Sequence, residues 1–230
     1  LDDLALEHAR RQLVAALDLD LFHFLFGTQV PDPLIEEIGV AADLVETRPR
    51  FVKATKFVRQ ASLSPSGARV AFEIRGDIVT LPREKGDDRN LTRSPGVHET
   101  HPAWSSDGKQ IAYFSDASGE YALRIAAQDG RGEPREIALQ GTGFYENLRW
   151  SPDGQHVSYA DNSRTIWILN VVSGQQTKVD ADPMYGPAKV LHHAWAPDSN
   201  WLAYTQNSSS YLNSIRLHSL KDGKSFSVSD

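Results

Sequence analysis

A chain of 230 residues, 40% of them hydrophobic, is long enough to bury a sizeable core as one large domain or two smaller units. Its 24 basic and 30 acidic residues leave a formal charge of -6, which gives no electrostatic footprint for nucleic acid or an anionic membrane surface, so neither is an expected partner. The lack of cysteine excludes disulfides and thiolate metal sites and fits a cytoplasmic location, with a periplasmic or secreted one left open, and no apolar run reaches the length of a membrane span.

In chain order, residues 1–17 read as a helical or irregular N-terminal segment. Leu6, Ala9, Leu13, Ala16 and Leu17 share a helical face, with Glu7, Arg10 and Arg11 off it. The chain opens on Leu1 and holds a single methionine, Met184, so a piece of a longer polypeptide is expected. Residues 18–43 are dense in apolar and aromatic side chains up to Phe26 and break at Gly27. They then run through Pro33-Leu34-Ile35-Glu36-Glu37-Ile38, which echoes Pro134-Arg135-Glu136-Ile137 and reads as the last strands of a preceding repeat. Residues 44–60 follow as a connector and first strand, alternating from Phe51 to Gln60. Its basic residues Arg48, Arg50, Lys53, Lys56 and Arg59 read as a solvated strand face.

From residue 61 one phrase is written four times, in units 61–93, 101–139, 148–180 and 193–230. Leu63, Trp104, Trp150 and Trp195 end a short strand and stand 41, 46 and 45 residues apart. A turn tetrad follows each: Ser64-Pro65-Ser66-Gly67, Ser105-Ser106-Asp107-Gly108, Ser151-Pro152-Asp153-Gly154 and Ala196-Pro197-Asp198-Ser199. Proline presets the backbone there, aspartate bonds the turn, and glycine tolerates positive φ. Next comes a large, small, aromatic triplet: Val70-Ala71-Phe72, Ile111-Ala112-Tyr113, Val157-Ser158-Tyr159 and Leu202-Ala203-Tyr204. Strand alternation puts the large pair on one face and the small residue on the other, where a neighbouring sheet can approach. A third strand (77–81, 121–125, 165–169, 214–218), a glycine turn and an outer strand complete each unit. A strand-rich period in the forties marks an all-β propeller of four-stranded blades, here about four in an open or partial ring. Such an arc would expose its end faces, and marginal stability in isolation is expected.

Little in the repeats reads as chemistry. No Gly-x-Ser-x-Gly elbow occurs, and Ser106 to Lys109 spells Ser-x-x-Lys only within a repeated turn. His98-Glu99-Thr100-His101 has a histidine spacing of three rather than the zincin four, and Pro95 and Pro102 oppose a helix. His101 and His192 occupy one repeat position, three residues before Trp104 and Trp195, and Asn147 holds it before Trp150. There they could line an axial opening, or be ordinary strand-start residues bonded to loop backbone. Trp104, Trp150 and Trp195 read as packing anchors and Tyr113, Tyr159 and Tyr204 as a second layer. Trp167, Trp201, Tyr185 and Tyr211 fall outside that pattern, as candidates for a surface role. Glu73, Asp116 and Asp161 read as turn or edge carboxylates. No catalytic, cofactor or metal residue is assigned, and no cofactor is expected.

Trp-Ser-Pro-Asp-Gly followed by an aliphatic-small-Tyr triplet resembles the repeat of TolB-like propellers and of the tricorn protease family, and lacks the terminal Trp-Asp of true WD repeats. The resemblance to bacterial tricorn protease homologues sharpens in Arg48-Pro49-Arg50-Phe51-Val52, Ala61-Ser62-Leu63-Ser64-Pro65, Arg89-Asn90-Leu91-Thr92 and Ala112-Tyr113-Phe114-Ser115-Asp116. Ser106, Ala196 and Ser199 depart from the usual proline, serine and glycine. The resemblance implies a non-catalytic scaffold and channel for oligopeptides, with the remaining propeller, PDZ and serine protease domains as partners in the parent chain and a homo-oligomeric parent. A TolB-like protein-binding module and the propeller lid of a prolyl-oligopeptidase-type hydrolase are the alternatives.

Overall fold

A computed structural model describes residues 54–141, 143–183, 191–209 and 212–228. The expectations for 1–17, 18–43 and the connector up to residue 53 lie outside the described residues, as do Tyr185 and Tyr211. Among the described residues sixteen strands form four antiparallel sheets, each a four-strand meander in chain order. The first sheet holds β1 (Val58–Leu63), β2 (Arg69–Ile74), β3 (Asp77–Pro82) and β4 (Arg89–Asn90), and the second β5 (Glu99–Trp104), β6 (Gln110–Ser115), β7 (Ala122–Ala127) and β8 (Arg135–Ala138). The third holds β9 (Tyr145–Trp150), β10 (His156–Asp161), β11 (Thr165–Asn170) and β12 (Gln176–Ala181). The fourth holds β13 (His193–Trp195), β14 (Trp201–Ser209), β15 (Leu212–Ser219) and β16 (Lys224–Ser227). The first strand β1 is shorter than the alternation from Phe51 predicts, because Ala54–Phe57 winds into a 3-10 turn. That turn presents the Phe57 ring to Lys56 and Arg75, whose cations lie 5.1 and 5.0 Å from its centroid.

The repeated tetrads make the turn between first and second strands. Ser105 Oγ donates to Asp107 Oδ1 at 2.7 Å and accepts the Gln110 amide at 2.9 Å, while Asp107 Oδ1 accepts the Lys109 amide at 3.0 Å. Gly108, at φ 70°, closes the turn onto the Ser105 carbonyl. These bonds favour the ionised carboxylate and hold Asp107 below the usual aspartate range, the Lys109 amide contributing most. Ser151, Asp153 and Gly154 repeat the arrangement. In the fourth turn Ala196 supplies no hydroxyl, and Ser199 takes the glycine position at φ 60°. That left-handed serine is strained, but its Oγ accepts the Asp153 amide at 3.0 Å and so ties the fourth turn to the third.

Neighbouring sheets stack through the triplets. Trp104, Ile111 and Tyr113 pack against Ala71 and Ile78 of the preceding sheet, and Val157 and Tyr159 against Ala103 and Ala112. Leu202 and Tyr204 pack against Ile166 and Ile168. The small residues Ala71, Ala112 and Ser158 are fully buried, as close sheet approach requires. Each fully buried aliphatic or aromatic side chain in these layers contributes roughly 1.5–3 kcal/mol. The tryptophans also bond across the layers. Trp104 Nε1 donates to the Ser62 carbonyl at 3.0 Å and Trp150 Nε1 to that of Ala103 at 3.1 Å, each one residue before the preceding anchor. Trp195 Nε1 is buried with no acceptor among the described residues. First strands lie beside first strands, β1 by β5, β5 by β9 and β9 by β13, so the sheets fan from that shared edge. Leu63, the counterpart of Trp104 in the first sheet, is 63% exposed.

Candidate functional site: a polar cavity where the first strands begin

Three first strands carry the same irregularity. Register shifts fall between Val58 and Ala61 on β1 and between Thr100 and Ala103 on β5, and β9 shifts opposite Ser158 and Ala160. His101 and Asn147 sit in the last two bulges at φ 53° and 57°. A bulge leaves one residue unpaired and re-aims its neighbours, and bulges recur beside functional sites. Here they border a cavity of about 470 Å³, at the strand ends opposite the Ser-Asp-Gly turns. Arg59 and Gln60 come from β1, Thr100 and His101 from β5, and Tyr145 and Glu146 from β9. The ends of β2 and β10 add Glu73 and Asp161, and loops add His98, Tyr121, Phe144, Asn162 and Arg164.

Some of these groups are already occupied. His98 Nδ1 lies 2.6 Å from the Tyr121 hydroxyl, and the His98 amide donates to Asp116 Oδ1 at 2.7 Å. Asp161 Oδ1 accepts the Thr165 amide at 3.0 Å and the Ser163 hydroxyl at 2.6 Å, while Oδ2 accepts the Trp167 indole at 2.9 Å. Arg164 is turned toward Asp182, with Nε 3.0 Å from Oδ2. Others are not occupied. Glu73, only 3% exposed, accepts a single bond, from the His101 amide to Oε2 at 3.2 Å. The Glu146 carboxylate makes no hydrogen bond among the described residues, and burial pushes it up, with Arg164 and then His192 opposing. Burial lowers His101, against the pull of Glu73, and holds its imidazole neutral at pH 7. Burial raises the hydroxyls of Tyr121 and Tyr145 and keeps them protonated, with nearby carboxylates adding to the effect.

Of the three residues expected at an axial opening, His101 lines this cavity. Asn147 directs Nδ2 to the Leu191 carbonyl at 3.1 Å, tying β9 to the approach to β13. His192 is exposed, its amide donating to Thr205 Oγ1 at 3.2 Å. The repeat residues Trp104, Asp107, Gly108, Trp150, Asp153, Gly154, Trp195 and Asp198 lie in the anchors and turns at the other end of the strands. Ser106 and Lys109 fall on that outer turn, where Lys109 Nζ lies 3.8 Å from Asp107 Oδ2. Trp167 spends its indole on Asp161, and Trp201 lies 6.2 Å from the Phe226 ring. Among the described residues, no group of three or more His, Asp or Glu side chains is placed to hold a metal ion.

Glu73 and Asp161, expected as turn or edge carboxylates, line the cavity, together with Tyr145 and Glu146, which no repeat motif marks. Their signal was positional: Glu73 follows the triplet aromatic Phe72 by one residue and Asp161 follows Tyr159 by two, so both close a second strand beside the start of a first one.

Known proteins share this architecture. The chain is 26% identical over 196 residues to tricorn protease homolog 1 of Streptomyces coelicolor, covering 83% of this chain and 18% of that protein. It is 29% identical over 119 residues to the Tol-Pal system protein TolB of Methylobacillus flagellatus, covering 50% of this chain and 23% of that protein. Among solved structures, the crystal structure of the tricorn protease superposes with a TM-score of 0.63 at 15% identity, over 76% of this chain and 17% of that one. TolB from Acinetobacter baumannii gives a TM-score of 0.55 at 14% identity, over 75% and 43% of the two chains. The likeness to the two solved structures is one of fold, and this chain spans less than a quarter of the two curated relatives' length. The tricorn protease second beta propeller domain matches residues 58–230, a stretch that contains all sixteen strands, and the chain belongs to that family.

Proposed function

We propose that this chain is a non-catalytic propeller section of a tricorn-like serine protease, a scaffold and passage for oligopeptides bound for a protease core elsewhere in the polypeptide. The observation that carries this reading is the cavity at the starting ends of β1, β5 and β9, walled by aromatic and polar side chains beside the edge from which the sheets fan. A passage for peptides needs apolar and aromatic walls with polar groups set at intervals on a rigid frame, and strands supply that frame better than loops. In this reading the four sheets are blades of a larger ring. Further blades would cover Leu63 on the first sheet and Ile215 and Phe226 on the fourth, which are 63%, 50% and 47% exposed. The remaining propeller, a PDZ domain, the serine protease core and further copies of the parent would be the partners.

The test is peptidase activity of the full-length protein on fluorogenic peptides of graded length, before and after narrowing the cavity with Asn162→Trp. Slower cleavage of the longer peptides with the shortest reporter unaffected is the expected result. A full-length protein without peptidase activity would overturn the protease reading. A protein-binding propeller would then take its place, a second reading favoured by the likeness to TolB folds.

A further inference from the structure

We infer that the cavity at the starting ends of β1, β5 and β9 recognises the ammonium group of a peptide, whether its N-terminal amine or a lysine side chain. The inference rests on the oligopeptide reading above and names what such a peptide must carry. Three polar residues that line the cavity are more than nine-tenths buried yet keep unused acceptors: Glu73 at 3% exposure, Thr100 at 8% and Tyr145 at 8%. Glu73 Oε1, Thr100 Oγ1 and the Tyr145 hydroxyl form no hydrogen bond among the described residues, and Glu146 adds a carboxylate with none. These oxygens are not sealed from solvent: they open onto the cavity, where a ligand can supply the donors.

The charge balance selects a cation. Asp161 is saturated by Thr165, Ser163 and Trp167, and Arg164 is engaged with Asp182, whose side chain is fully buried. Arg59 is exposed at the mouth and makes no ion pair with either free carboxylate. His101 is neutral at pH 7, and His98 is bonded to Tyr121. That leaves the carboxylates of Glu73 and Glu146 without an ion pair, Glu146 being only partly offset by Arg164 and His192. A metal ion is a poor fit, since no metal-binding group of three such side chains exists among the described residues. A primary ammonium suits the site better, with three donors on one compact charge. The rings of Tyr121 and Phe144, 5.7 Å apart with Phe144 66% exposed, offer an aromatic wall to the cation and to the aliphatic chain behind it.

The experiment is calorimetric titration of the full-length protein with the pentapeptide amide Ala-Ala-Lys-Ala-Ala. Three analogues accompany it: N-acetylated, lysine replaced by norleucine, and both changes together. The doubly modified peptide is expected to bind at least tenfold more weakly, and the singly modified peptides show which ammonium is held. Glu146→Gln, and independently Glu73→Gln, should remove the preference for the unmodified peptide. Glu146 is only half-buried, so its variant keeps the test valid if Glu73→Gln folds poorly. Equal binding of all four peptides, no binding of any, or an unchanged preference in a folded Glu146→Gln variant would each overturn the inference. If peptides are still cleaved in those cases, the passage reading survives without it; if none is cleaved, that reading falls too.

Discussion

His193 opens β13 with 5% of its surface exposed, and neither ring nitrogen has a hydrogen-bond partner among the described residues. Burial, with the Arg149 guanidinium adding to it, lowers the imidazole from 6.5 to about 4. Backbone of Ser158, Asn147 and Leu191 near the ring pulls the other way but does not reach bonding geometry. Between pH 6.5 and 4 the unfolded chain therefore binds a proton that the folded chain refuses. Stability contributed by the neutral ring is complete above that window and is lost as pH falls through it. At ~1.4 kcal/mol per pH unit the loss comes to roughly 3 kcal/mol. Leu148 holds the matching place in β9, two residues before its tryptophan, so His193→Leu is a substitution the layer accommodates. Urea unfolding of both proteins between pH 4 and 8 isolates the effect. The lowered His101 and His218 and the raised Glu99 and Glu146 titrate in both and cancel in the difference. The wild type should lose about 3 kcal/mol more than the variant on acidification. Parallel pH profiles would refute the assignment of a buried, neutral His193.

The anchors separate packing from hydrogen bonding. Trp150→Phe removes the indole bond to Ala103 and should cost about 2 kcal/mol, whereas Trp195→Phe, which has no bond to lose, should cost about 1 kcal/mol less by denaturant titration. Gly141 sits at φ 114°, and a Cβ there would lie 2.6 Å from Asp161 Oδ2 and 3.3 Å from Trp167 Nε1. Gly141→Ala should therefore break the Asp161–Trp167 bond, destabilise by roughly 2–4 kcal/mol and shift Trp167 fluorescence. Arg164→Ala would leave the buried Asp182 carboxylate short of its cation at a cost of about 3 kcal/mol, read as a lowered melting temperature.

The repeat was legible because every copy meets the same packing demand. A large-small-aromatic triplet has one workable orientation in a stack of sheets, and Ala71, Ala112 and Ser158 stand where that logic puts them. The Ser-Asp-Gly turns were legible for a similar reason, since their bonds are local and lie within a few residues. The Trp-to-carbonyl bonds were not, because Trp104 and Ser62 lie a whole repeat apart and nothing in the sequence declares the acceptor. The cavity was harder still. Glu73, Thr100, Tyr145 and Glu146 come from three different sheets, and each taken alone is an ordinary strand-end residue.

What gathers them is the bulge. Side chains alternate along a regular strand, so a first strand packed between two neighbours would commit every other residue to the stack and leave no polar group for the strand end. One extra residue at Arg59-Gln60, at His101-Pro102 and at Asn147-Leu148 resets that alternation just before each anchor. Trp104 and Trp150 can then face the preceding sheet while Gln60, His101 and Glu146 open onto the cavity. The positive φ of His101 and Asn147 is the local cost, on the order of 1–2 kcal/mol each, and the stacked core absorbs it. Deleting His101 would remove the irregularity and turn Glu99 and Thr100 each to the other face of β5 relative to Trp104. The cavity and the Trp104 layer would then compete for one register, so the stack that stabilises the fold and the cavity beside it depend on the same unpaired residue.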